Sequence, residues 1–277
     1  MRRNSPLFHK NRFDMNEMVP KSRRGQKIVL AVLAVALVVL LAFLLWPQSD
    51  GPGNEKHTTA NLVGNQSGTA ASSAAAQKVT PKKGKEKTAG YFKDAAFVGD
   101  DLVAALSKHS FWDGSTLFLA TGKANPSNIL REQLFTQNGQ SVTALQALKN
   151  SGPKKVYICL GLNGVSWLSG EDMRSSIRDF VQRVQKELPK AQVYLLAIPT
   201  VDSATQQALP NFQNSKIQSY DELLLSLCEE LEIYYLQPQG EELSQFVASV
   251  DTGTSQLQLS QQAVDAWLST IRSYTAG

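Results

Sequence analysis

Two carboxylates stand side by side at Asp100 and Asp101, directly after the apolar run Ala95-Ala96-Phe97-Val98-Gly99 and before a helix-like Leu-Val-Ala-Ala-Leu. Such a pair can accept hydrogen bonds, and Asp is favoured where a helix begins, because the positive end of the helix stabilises it. Asp101 therefore reads either as a helix cap or as a ligand contact, and Asp100 as a support for backbone N–H groups. Two adjacent carboxylates and one amide, Asn163, are too few ligands for a cation, so neither a metal nor a cofactor is expected. Proton-transfer chemistry needs a base within about 3 Å. The chain has three histidines, and His9 and His57 lie far from the acidic pair. His109 comes eight residues after Asp101, about 12 Å along a helix axis, and reads as an ordinary helix-end residue. Gly122 and Asn163 close two further apolar runs; glycine there suits a tight turn, and Asn163 can tie two loops together or meet a ligand. Trp167 either packs as a lid on the core or offers a stacking surface for a sugar, with packing favoured. Cys159 and Cys228, the two cysteines, are too few for a disulfide-built scaffold and read as buried small hydrophobes.

These positions need elements to hold them. From Tyr91 onward, short apolar runs alternate with helical periodicity. Strands are expected over 95–99, 116–120, 156–160, 193–198 and 233–236, the last of these closing the sheet. Helices are expected from Val142, Leu145 and Leu148; from Met173, Ile177, Phe180, Val181, Val184 and Leu188; from Ile217, Tyr220, Leu224, Leu227 and Leu231; and from Ala263, Val264, Trp267, Leu268 and Ile271. Strands without polar alternation are buried on both faces, and alternation with helices implies parallel crossovers. The expected fold class is α/β: a three-layer α/β/α doubly wound parallel sheet over 91–277. Ligands of such sheets bind beyond the carboxyl ends of the strands. Those ends carry Asp100, Asp101, Gly122, Asn163 and the segment after Pro199.

The pieces at these ends resemble blocks of the SGNH (GDSL-type) hydrolase family, in its membrane-anchored bacterial subgroup. Tyr91–Asp101 looks like the block ending Gly-Asp-Ser. The Gly122 region resembles the second block, and Val156–Gly164 resembles the Gly-x-Asn-Asp/Glu block. The helix Lys216–Leu224 and the segment Gln256–Ile271 follow in family order. The resemblance implies ester chemistry, with a serine nucleophile, a histidine base and an orienting aspartate, and oxyanion donors from a glycine and an asparagine. This chain departs at every triad position. Asp101 stands at the nucleophile position, Gln258 at the histidine position and Ser255 at the aspartate position, while the oxyanion positions survive as Gly122 and Asn163. A carboxylate beside a developing oxyanion costs roughly 4 kcal/mol at 4 Å and an effective dielectric near 20, about a thousandfold in rate.

The remaining sequence organises the chain. Its 277 residues carry 28 basic and 24 acidic groups, a net of +4. Residues 1–27 hold a net of +6 and residues 47–90 a net of +3, leaving 91–277 at −5. A folded part that is net acidic disfavours nucleic acid as a partner. Residues 28–46 are nineteen consecutive uncharged residues, apolar throughout. As a helix they cover about 28 Å, close to the ~30 Å hydrocarbon core. The run exceeds a signal-peptide core of about 7–15 residues and no small-residue cleavage pattern follows. Four basic residues just before it place the N-terminus in the cytoplasm. The expected organisation is a basic cytoplasmic tail (1–27), a single transmembrane helix (28–46) in the lipid bilayer of the cell membrane, a flexible extracellular linker (47–90) and an SGNH hydrolase-like domain (91–277). Two functions are expected in order: a non-catalytic module binding a cell-wall glycan or acylated carbohydrate, with Asp100, Asp101, Gly122, Asn163 and Trp167 as candidate contacts; or an esterase or acyltransferase using Asp101.

Overall fold

The computed structural model describes residues 79–251 and 256–276. The tail, the apolar run 28–46 and the first part of the linker lie outside the described residues, as does Ser255. Among the described residues, no helix is long and apolar enough to cross a membrane.

Along the chain, β1 (Ala95–Gly99) leads into α1 (Asp101–Ser107) and β2 (Leu117–Ala120). A hairpin, β3 (Phe135–Gln137) and β4 (Gln140–Val142), precedes α2 (Ala144–Ser151). Then come β5 (Lys155–Cys159), α3 (Gly170–Glu187), β6 (Gln192–Leu196), β7 (Thr200–Val201), α4 (Ser203–Ala208) and α5 (Asn214–Leu231). The chain closes with β8 (Tyr234–Leu236), α6 (Glu241–Gln245), β9 (Val247–Asp251), β10 (Gln256–Leu259) and α7 (Gln261–Ser273).

The main sheet has the order β2-β1-β5-β6-β8, and every pairing in it is parallel. From β1 the chain first steps outward to β2, then crosses to the other side for β5. The topological switch therefore falls between β1 and β5, where open α/β sheets leave a crevice at the strand carboxyl ends. Strands β1 and β5 are buried along their whole length, because helices cover both faces: α1 and α7 touch on one, α2, α3 and α5 on the other. In α3 the buried side chains Met173, Ile177, Phe180, Val181 and Val184 recur at three- and four-residue spacing, each contributing about 1.5–3 kcal/mol by burial.

Register in this sheet is pinned by a row of rings. Phe118, Phe97, Tyr157, Tyr194 and Tyr234 occupy paired positions on the five successive strands. They stack in sequence, with centroids 5.2, 4.5, 4.5 and 5.0 Å apart. A slip of one residue would turn a ring to the opposite face and break the row.

Three features differ from the sequence expectation. Residues 79–90, expected as linker, are folded onto the domain as a strap along the end of α7. The Gly84 N–H donates to Ser273 O at 2.8 Å and the Lys87 N–H to Arg272 O at 3.0 Å; Glu86 pairs with Arg272 at 2.8 Å, and Val79 is buried. The strap runs past the amino ends of the strands, where the ammonium groups of Lys87 and Lys155, the first residue of β5, lie over the Tyr91 ring. Second, β8 is not the last strand: β9 and β10 form an antiparallel hairpin, and β7 pairs parallel with β9. Third, β3 and β4 turn through Asn138 and Gly139, at φ of 51° and 77°, which makes Asn-Gly a natural choice for this two-residue loop.

Candidate functional site

Asp100 is fully buried and is the cap of α1, in place of Asp101, which is the first helical residue. Its Oδ1 accepts the Leu102 N–H at 3.2 Å. Its Oδ2 accepts the N–H groups of Gly161 at 3.3 Å and Asn163 at 3.4 Å. One carboxylate thus joins the start of α1 to the loop after β5, across the switch point. Burial pushes the Asp100 pKa up to about 7, against the lowering effect of these N–H donors, with a smaller upward push from the Asp101 charge.

Above this support lies the pair expected from the strand ends. The Asn163 Nδ2 group donates to Gly122 O at 2.9 Å, to Asp101 Oδ2 at 3.3 Å and to Ala124 O at 3.4 Å. A primary amide carries two hydrogens, and three oxygens of the protein already compete for them. Gly122 sits so close that a Cβ there would lie 2.5 Å from Asp101 Oδ1. Asp101, Gly122 and Asn163 are therefore brought together as one cluster, with the Asp101 carboxylate held against the Asn163 amide and the Gly122 backbone.

The cluster forms one wall of an open cleft of about 660 Å³. Thr121, Lys123 and Ser166 add polar groups to the lining, and Leu162, Leu209, Phe212 and Leu257 add apolar ones. Sequence reasoning did not single out Thr121, Lys123, Ser166, Leu209, Phe212 or Leu257. Leu209 and Phe212 come from the chain between α4 and α5, and Leu257 comes from β10, so only the tertiary fold assembles them. The alternation in Gln256-Leu257-Gln258-Leu259 was the one local signal available, since period two marks a strand with one face inward.

That alternation also decides the fate of Gln258. It pairs with Ser249 across the hairpin and is exposed, so the position aligned with histidine is not part of the cleft lining; its neighbour Leu257 is. His109 is engaged elsewhere. Its Nδ1 accepts the Phe111 N–H at 3.0 Å, leaving Nε2 to meet Asp265 Oδ1 on α7 at 2.9 Å. Among the described residues, no histidine lines the cleft, and no group of three or more His, Cys, Asp and Glu side chains could hold a metal ion. Trp167 does not pack on the core: it is 60% exposed, and its indole N–H donates to Asn163 O at 2.9 Å. Cys159 and Cys228 are free thiols, both buried.

No family model matches the chain, and no curated protein matches it. Solved structures similar to it include a GDSL-like lipase from Bacteroides thetaiotaomicron, 13% identical, with 73% of this chain and 94% of that one covered at a TM-score of 0.46. Another is the lipase/acylhydrolase from Enterococcus faecalis, 14% identical, with 64% and 92% covered at a TM-score of 0.42.

Proposed function

We propose that the domain is a binding module on an SGNH-type frame, recognising a neutral carbohydrate or acylated carbohydrate, and that it does not hydrolyse its ligand. The observation that carries this reading is the Asp101 carboxylate beside Gly122 and Asn163. The Asn163 amide hydrogens are committed to protein oxygens, one of them on Asp101, and a fixed negative oxygen repels the charge of a tetrahedral intermediate. The same carboxylate is a good acceptor for ligand hydroxyls and a poor neighbour for anions. In the same cleft, Leu209, Phe212 and Leu257 suit an acyl methyl or the C–H face of a sugar ring. The apolar run 28–46, with basic residues before it, supports a chain anchored in the cell membrane, with this domain outside the cell and facing the envelope.

The test is binding of N-acetylglucosamine, whose hydroxyls and acetyl methyl match the polar and apolar groups of the cleft, by calorimetry on the full chain. Asp101→Asn is expected to weaken binding about tenfold, the value of a hydrogen bond to a charged acceptor. Absent binding, or binding that the substitution leaves unchanged, rejects the proposal.

A second reading keeps the donors in service, with Asp101 as base or nucleophile in ester cleavage. Hydrolysis of p-nitrophenyl acetate separates the two. No turnover above background is expected, whereas turnover that Asp101→Ala abolishes would favour the esterase.

A further inference from the structure

A second groove, of about 550 Å³, continues from the Asp101 cleft, with Ser166 lining both. Its lining includes Leu168, Met173 and Leu223, together with Trp167. An exposed tryptophan normally keeps rotational freedom that a ligand must remove. Here the indole N–H is tied to Asn163 O at 2.9 Å, so the ring is held in place although 60% of it faces solvent. The bond also fixes the ring relative to Asn163, the residue that organises the first cleft. Around the groove stand Ser166, Ser215 and Ser219, whose hydroxyls make no side-chain hydrogen bond among the described residues. An immobilised apolar ring face bordered by hydroxyls lacking protein partners matches the two surfaces of a sugar ring, C–H on its faces and O–H at its edge.

We infer that Trp167 and the adjoining serines form a second saccharide subsite, so that one linear oligosaccharide spans both grooves, one unit beside Asp101 and the next on the indole. This rests on the carbohydrate reading of the first cleft. Lys216 at the groove's edge tolerates a neutral chain and does not require an anionic one. An extended acyl chain would use Leu168, Met173 and Leu223 but leave the three hydroxyls unpaired, so a saccharide is the better match.

The experiment is a chain-length series of N-acetylglucosamine and its β-1,4 oligomers of two to four units, titrated into the full chain. The dimer is expected to bind at least tenfold tighter than the monosaccharide. Trp167→Ala should reduce that increment to less than twofold, and Trp167→Phe should retain part of it. Tryptophan fluorescence should change on dimer binding in the native chain and not in Trp167→Phe. Equal affinity for all lengths, or an increment that survives Trp167→Ala, overturns the second subsite but leaves the first cleft's function standing. If no saccharide of any length binds, both fall. If fatty acids bind in a manner that depends on Trp167 and the oligomers do not, the groove is an acyl site and the inference is wrong.

Discussion

Asp100 is the residue on which the cleft's geometry depends, since its two oxygens hold three backbone N–H groups from two separate elements. Its folded pKa of about 7 stands above its ordinary 3.8. Below the ordinary value it is protonated in both states and its contribution is intact. As pH rises through the window between about 4 and 7, the unfolded chain releases a proton that the folded one retains, and stability falls. The shift corresponds to a loss on the order of 4 kcal/mol at most. Buried Asp221, also pushed upward by burial, acts in the same direction. The melting temperature is therefore expected to drop between pH 5 and pH 8, and Asp100→Asn, though less stable at every pH, should show a flatter profile in calorimetric scans. A native profile that is flat or rises over this range would contradict the assignment. The pairing of carboxylate and strand end was readable from Gly99-Asp100-Asp101 alone. Which acid would cap the helix was not, because both are good caps and only the position of the loop after β5 selects Asp100.

At the scale of elements, the parallel core was legible because its strands are short unbroken apolar runs and its helices have a clear buried stripe. The two hairpins were harder to read. Val247–Asp251 and Gln256–Leu259 are half polar, and their inward side chains find their partner only once β7 is alongside. The Asn138-Gly139 turn was a readable signal for the first hairpin, but strands of three residues on each side carry too little periodicity to stand out. The loop after β5 is the tightest junction. Gly161 has φ +149°, and a Cβ there would run into the ring of Tyr220 on α5, which is buried and fixed by its hydroxyl donating to Leu160 O at 2.6 Å. Gly161→Ala is expected to cost about 2–4 kcal/mol through backbone strain and overpacking, measured by urea unfolding. Tyr220→Leu should lower the additional cost of Gly161→Ala, since the smaller side chain leaves room for the new methyl. A Gly161→Ala chain as stable as the native one would show that this junction is looser than described.

For the whole molecule, the composition shift near residue 91 does not mark where folding onto the domain begins, since residues 79–90 are already packed on it. Residues 79–90 are polar and rich in lysine, so nothing in their pattern announces a folded segment; they are held by backbone bonds to α7, which sequence does not display. A chain starting at residue 91 loses the Gly84 and Lys87 bonds, the Glu86–Arg272 pair and the cover that Val79 provides. At about 1 kcal/mol per hydrogen bond, it is expected to melt some 5–10 °C below a chain starting at residue 79, given roughly 2–4 °C per kcal/mol for a domain of this size. Equal melting temperatures would mean that the strap adds nothing to stability. The strap also governs presentation. It enters beside the amino ends of the strands, whereas the cleft opens at their carboxyl ends, with the sheet's full depth between them. A molecule that enters the cleft therefore approaches from the pole opposite the strap, and residues 79–90 do not stand in its way.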